Sequence, residues 1–101
     1  MTESNALYDA AEALAETRQR LSEVSAEVVV VNHVMGLYEL SAIHLSSEPP
    51  RLAESALAID AMACLVEGLE GRLGEEAATL KMALDNIRIA FVQIKDATAR
   101  P

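Results

Sequence analysis

The stretch SNALYDAAEALAETRQRLSEVSAEVVVVNHVMGLYELSAIHL, residues 4–45, decides the architecture. It contains no proline, and its first glycine is Gly36. Apolar residues recur every seven positions at Leu7, Leu14, Leu21, Val28, Met35 and Ala42. A second row follows three residues later, at Ala10, Thr17, Val24, Val31, Tyr38 and Leu45. Two such rows make the heptad stripe of a helix that pairs along its length. Unbroken, this helix would reach about 60 Å, more than a compact monomer of this size needs. A break near Ser22–Glu27 is the alternative to one unbroken helix, because the β-branched valines that follow weaken helix propensity; the sequence leaves both open.

The two halves of the stretch differ. Residues 4–27 are amphipathic, with Glu, Arg and Gln off the stripe. Residues 28–45 are apolar nearly all round, which predicts a helix buried on several sides. A buried strand is the alternative for the four valines 28–31, but the helical spacing on both sides argues against it. This division predicts one domain with an amphipathic, coiled-coil-like arm over 1–27 and a helical core over 28–97.

Ser46-Ser47-Glu48-Pro49-Pro50 then interrupts the pattern. Ser47 or Glu48 is a candidate cap, and proline suits the first turn of a following helix. That helix is expected over Pro50–Leu69, with Leu52, Ala56, Ile59, Ala63 and Val66 on one face and Leu57, Met62 and Leu65 widening it. Gly68, Gly71 and Gly74 form the next turn. Glu75 and Glu76 open a last helix, where the helix dipole favours acids. Leu80, Leu84, Ile87, Phe91 and Ile94 mark its buried face. The expected fold class is all-α: a long first helix, broken or not, plus a helical hairpin, three to four helices in a dimeric bundle.

Composition agrees. The 101 residues hold 18 Ala and 13 Leu against 4 Gly and 3 Pro, and aromatics are 3%. These proportions suit helices rather than a β-sandwich, and the 51% apolar content argues against disorder. The longest unbroken apolar run is the six residues Ala61–Val66, so no membrane span is expected. The acids scattered through the first 25 residues do not read as a signal peptide.

Net charge is −8. Residues 1–70 carry twelve acids and three bases, and residues 71–101 carry four acids and five bases. Phosphate backbones repel such a surface, so direct nucleic-acid binding is not expected. A basic protein partner or simple solubility suits it better. The single cysteine, Cys64, cannot close an internal disulfide, which fits a reducing cytoplasm.

Little here carries chemistry. His33 and His44 are eleven residues apart, roughly 16 Å along a helix, and cannot share a metal within one chain. Cys64 has no basic neighbour in sequence and reads as a small buried apolar side chain. Glu12/Glu16, Glu23/Glu27 and Glu67/Glu70 lack the Glu-x-x-His partners of a di-metal bundle. The glycines at 68, 71 and 74 follow a helix rather than a strand, so a phosphate cradle is not indicated. No catalytic residue, cofactor or metal is expected.

Two charges interrupt apolar faces. Asp60 sits among Ala56, Leu57, Ala63 and Cys64, and Arg88 among Leu84, Ile87 and Phe91. Buried charges are normally paired. Counted from Arg72 as the centre of the turn, Asp60 lies ~18 Å away and Arg88 ~24 Å, a difference that an arginine spans. A structural ion pair between Asp60 and Arg88 is therefore expected.

Several of these residues also resemble a family. Ile59-Asp60-Ala61-Met62-Ala63-Cys64-Leu65-Val66-Glu67, Gly71-Arg72-Leu73, Glu75-Glu76 and Ile87-Arg88-Ile89-Ala90-Phe91-Val92 are similar to motifs of the bacterial domain-of-unknown-function family 1844. The resemblance covers about residues 28–94. That family reads K-T where this chain has Gly68-Leu69, and Asn where it has Arg72, so the resemblance leaves open whether the turn has a ligand role here. The resemblance implies a small helical fold and a bacterial origin, and gene context in the family hints at translation. It implies no activity.

The functional expectation is a non-enzymatic interaction or scaffold protein, homodimeric through Leu14, Leu21, Val28, Val31 and Met35. An acidic accessory factor for a translation-related or other basic protein partner is a second reading. A secreted helical-hairpin effector of the WXG type is a third, and the missing Trp-x-Gly turn argues against it.

Overall fold

The computed structural model describes residues 2–99. They form four α-helices: α1 (Thr2–Glu23), α2 (Ala26–Leu45), α3 (Leu52–Gly68) and α4 (Ala77–Ala99). A short 3-10 turn, Gly74–Glu76, leads into α4, and no strand occurs among the described residues. The valine run is helical. The break in the long first segment falls at Val24–Ser25. Ser25 is in extended conformation and its hydroxyl accepts from the Val28 amide at 3.3 Å, capping α2.

The core belongs to α2, α3 and α4. Val34, Leu45, Ile59, Met62, Ala63, Val66, Leu73, Leu80, Leu84 and Ile87 form one buried cluster. Phe91 and Ile94 pack against its edge. Two buried serines mark the α2–α3 contact. Ser55 donates from Oγ to the Ser41 carbonyl at 3.0 Å, and Ser41 donates from Oγ to the Tyr38 carbonyl at 2.7 Å. Both residues have no exposed surface. A side-chain oxygen that reaches the backbone of the facing helix requires the two helices to lie close, which only small side chains permit.

α1 stands apart. Among the described residues it has no packed interface with another helix, and every side chain from Asn5 to Glu23 is exposed. The molecule measures 66 × 35 × 15 Å, with a radius of gyration of 19.0 Å, whereas a compact domain of 100 residues has about 13 Å. An arm and a flat three-helix body account for the difference.

Several local expectations need correction. Ser47 does not open α3. Its hydroxyl donates backward to the Ile43 carbonyl at 3.1 Å, and Ser46 closes α2 through its backbone amide. The Glu48–Pro49 peptide is cis, and α3 starts at Leu52, where the Arg51 amide has bonded back to the His44 carbonyl at 2.9 Å. Leu57 is 70% exposed instead of widening the core. Cys64 is exposed, not buried. α2 is less covered than its composition implies, with Leu40 and Ile43 facing outward. By length and composition α2 is also apolar enough to cross a membrane, which the four-valine run understated. In this fold its Val34, Ser41 and Leu45 are buried against α3 and α4.

Candidate interaction surfaces

The residues singled out in the sequence fall into three places. The first is the stripe of α1. Leu7, Leu14 and Leu21 are 72%, 59% and 57% exposed, and Val24, at the break, and Val28, on the first turn of α2, are exposed as well. Leucine at these levels of exposure forgoes roughly 1.5–3 kcal/mol per side chain that burial would contribute. Of the five expected interface residues, Leu14, Leu21 and Val28 are exposed. Val31 and Met35 are half-buried against the chain's own core. They turn inward because α2 is a separate helix, and the heptad phase does not carry across the Val24–Ser25 break.

The second place is the α3–α4 cleft, where Asp60 and Arg88 share walls with Ala56, Ile59, Phe91 and Val92. The expected ion pair does not form. Arg88 bonds instead to Glu67, at 3.3 and 3.5 Å. Asp60 is exposed and takes part in no ion pair among the described residues. Two causes combine. The cleft is open to solvent, so no burial penalty forces these two charges together. Glu67 is also one methylene longer than Asp60. A second surface bridge, Lys81 to Glu70 at 3.4 Å, lies nearer the bend of the hairpin. Both bridges have side chains at least 45% exposed, and such pairs contribute about 0–1 kcal/mol.

The third place is a shallow groove between α2 and α3, lined by Asn32, His33, Gly36, Leu37, Leu40 and Leu65. His33 is exposed, and its Nδ1 lies 2.7 Å from the Val29 carbonyl of its own helix. His44 is half-buried, and its Nδ1 has no hydrogen-bond partner among the described residues. Among the described residues no three His, Cys, Asp or Glu side chains gather into a metal-ligating group.

The Gly68–Gly74 turn is structural in its geometry. Gly71 and Gly74 have φ of 86° and 63°, a region that favours glycine. Between them Leu73 plugs the core, 2% exposed. The carboxylate of Glu27, from the first turn of α2, occupies the space that a Cβ at Gly74 would take. The serine pair and the Glu27–Gly74 contact escaped the sequence reading. The only signal for the serines was a polar residue at the edge of each apolar face.

Comparison with family models, curated proteins and solved structures finds no match to this chain. What these surfaces can do follows from their own residues. Chemically they offer apolar stripes, exposed carboxylates and two surface ion pairs, the materials of protein contacts.

Proposed function

We propose that this chain is a non-enzymatic helical interaction protein that assembles as a homodimer through α1. The observation that carries the reading is the arm itself: a 22-residue helix with a leucine row every seven residues and no packed interface with its own core. In proteins, packing of an apolar face rather than intrinsic propensity supplies most of a helix's stability. The proposed interface is Leu7, Leu14 and Leu21, extended by Val24 and Val28. Light scattering at micromolar concentration tests it: a dimer mass is expected, and a clean monomer would sink the reading.

A second reading has its own support. Glu39, Glu48, Glu54 and Asp60 are all exposed, an acidic periphery suited to a basic, translation-related partner. Salt-sensitive recovery of ribosomal proteins on the immobilised chain would favour it; their absence from the bound fraction would count against it.

A further inference from the structure

Two apolar surfaces of this chain lack a partner, and they match. One is the α1 stripe, from Leu7 to Leu21. The other is the outward face of α2, where Val29, Gly36 and Ile43 recur every seven residues with His33 and Leu40 between them. Leu40 and Ile43 are 44% and 63% exposed, Val29 is half-buried, and Gly36 lines the open α2–α3 groove. Each surface covers about 21 Å of helix. The 66 Å length of the molecule nearly equals α1 and α2 laid end to end, about 63 Å, so the arm continues the line of α2 past the break.

A two-fold axis at Ser25, in the break itself, brings together residues equally distant from it in two antiparallel copies. Leu7 of one copy then meets Ile43 of the other, Leu14 meets Gly36, and Leu21 meets Val29. Between these layers Ala10 meets Leu40 and Thr17 meets His33. Leucine stands opposite glycine in one layer and alanine in another, so large side chains have room to interdigitate. Thr17 and His33 make a single polar layer, the kind of position that fixes register in an apolar seam. Arg18 falls opposite Asn32 and Glu39 opposite Ala11, so no like charges face each other in these pairs.

Closure sets the direction. In the antiparallel arrangement one contact, repeated twice, covers both arms and both α2 faces. In a parallel arrangement an arm laid on the second copy's α2 leaves that copy's own arm beyond reach of the first body, and the contact propagates as an open chain. Folding the arm back onto its own α2 would need a tight reversal at Val24–Ser25. That pair contains no glycine, and among the described residues none but glycines has a positive φ, the conformation in which helices commonly end.

We infer that the arm of each copy lies antiparallel on the outward α2 face of the other, the two arms exchanged about a two-fold axis at Ser25. This rests on the homodimer reading and names the surface that receives the arm. The occupant is a second copy because one chain carries both halves of the contact at matched length and spacing.

Cross-linking of the full chain tests it. In a Cys64→Ser background, a short bismaleimide should join Leu14→Cys to Gly36→Cys between chains. Either substitution alone should give no cross-linked dimer, since the two copies of each residue lie about 33 Å apart across the axis. Nothing lies within 4 Å of where a Cβ at Gly36 would sit in a single chain. Gly36→Leu should therefore keep the unfolding midpoint of the body while raising the dimer Kd about tenfold, because Leu14 of the other copy needs that space. Cross-linked dimers from Leu14→Cys alone, or an unchanged Kd in Gly36→Leu, would overturn the exchange while leaving the homodimer standing. So would a particle about 100 Å long at dimer mass, in which the arms overlap only each other. A cross-link confined to the monomer would put the arm on its own body, and a monomer throughout would remove both readings.

Discussion

Ser55 has no exposed surface and spends its hydroxyl on the Ser41 carbonyl across the α2–α3 contact. Enlarging it would force the helices apart, so Ser55→Leu should cost about 1–3 kcal/mol, read as a lower midpoint in urea unfolding. Ser55→Ala removes only the bond and should cost about 1 kcal/mol. Equal losses in the two variants would show that close approach is not what the serine serves. Gly74 poses the same question in backbone terms. Its positive φ disfavours any side chain, and a Cβ there would run into the Glu27 carboxylate. Gly74→Ala should therefore destabilise by about 1 kcal/mol or more, and Glu27→Ala should return part of that loss. Failure of the second change to help would leave the backbone conformation as the sole cause. The α3–α4 charges behave differently. Arg88→Ala and Asp60→Ala should each change stability by less than about 1 kcal/mol, because both residues sit in solvent and Arg88 has an exposed partner in Glu67.

At the scale of elements, α1 and the body should separate in their stability. Leu14→Asp places a charge in the centre of the arm without touching the core. The expected product is a monomer in which the helicity of α1 is largely lost while α2–α4 unfold with an unchanged midpoint. Far-UV dichroism with urea titration reads both; an unchanged helical signal would mean that α1 is stable alone, against the usual marginality of isolated helices. Most of this organisation was legible in the residues. The seven-residue rows marked a helix, the weak stretch at 22–27 held the break, and the Leu80–Ile94 spacing named the face that α4 buries. What was not legible came from position rather than type. Periodicity places Leu57 and Cys64 beside apolar neighbours, but only the flatness of the three-helix body leaves them outside. The Asp60–Arg88 expectation failed for a similar reason. Counting residues from Arg72 gave a level along the hairpin, while exposure decided that no buried charge needed a partner.

At the scale of the whole molecule, direction of pairing becomes shape. The chain is 66 Å long, and α1 accounts for about 33 Å of helix. Antiparallel arms would overlap along α1 and send the two bodies to opposite ends. Such a particle would be about 100 Å long, whereas a parallel pair would stay near the length of one protomer. The consequence for function is valency. Two acidic bodies held apart by an antiparallel pair would present the same surface twice, so a partner with two matching basic sites at that spacing would bind far more tightly than either contact allows. A parallel pair would instead crowd the bodies together, where Leu40, Ile43 and Leu57 of each could meet. Small-angle scattering on the intact chain separates the cases. A maximum dimension near 100 Å at dimer mass would mark antiparallel arms, and Leu14→Asp should bring it to about 66 Å if the arm keeps its form and further if it unravels back onto the body. A dimer no longer than about 70 Å would mean that no rod holds the bodies apart, and the two-ended scaffold would be wrong.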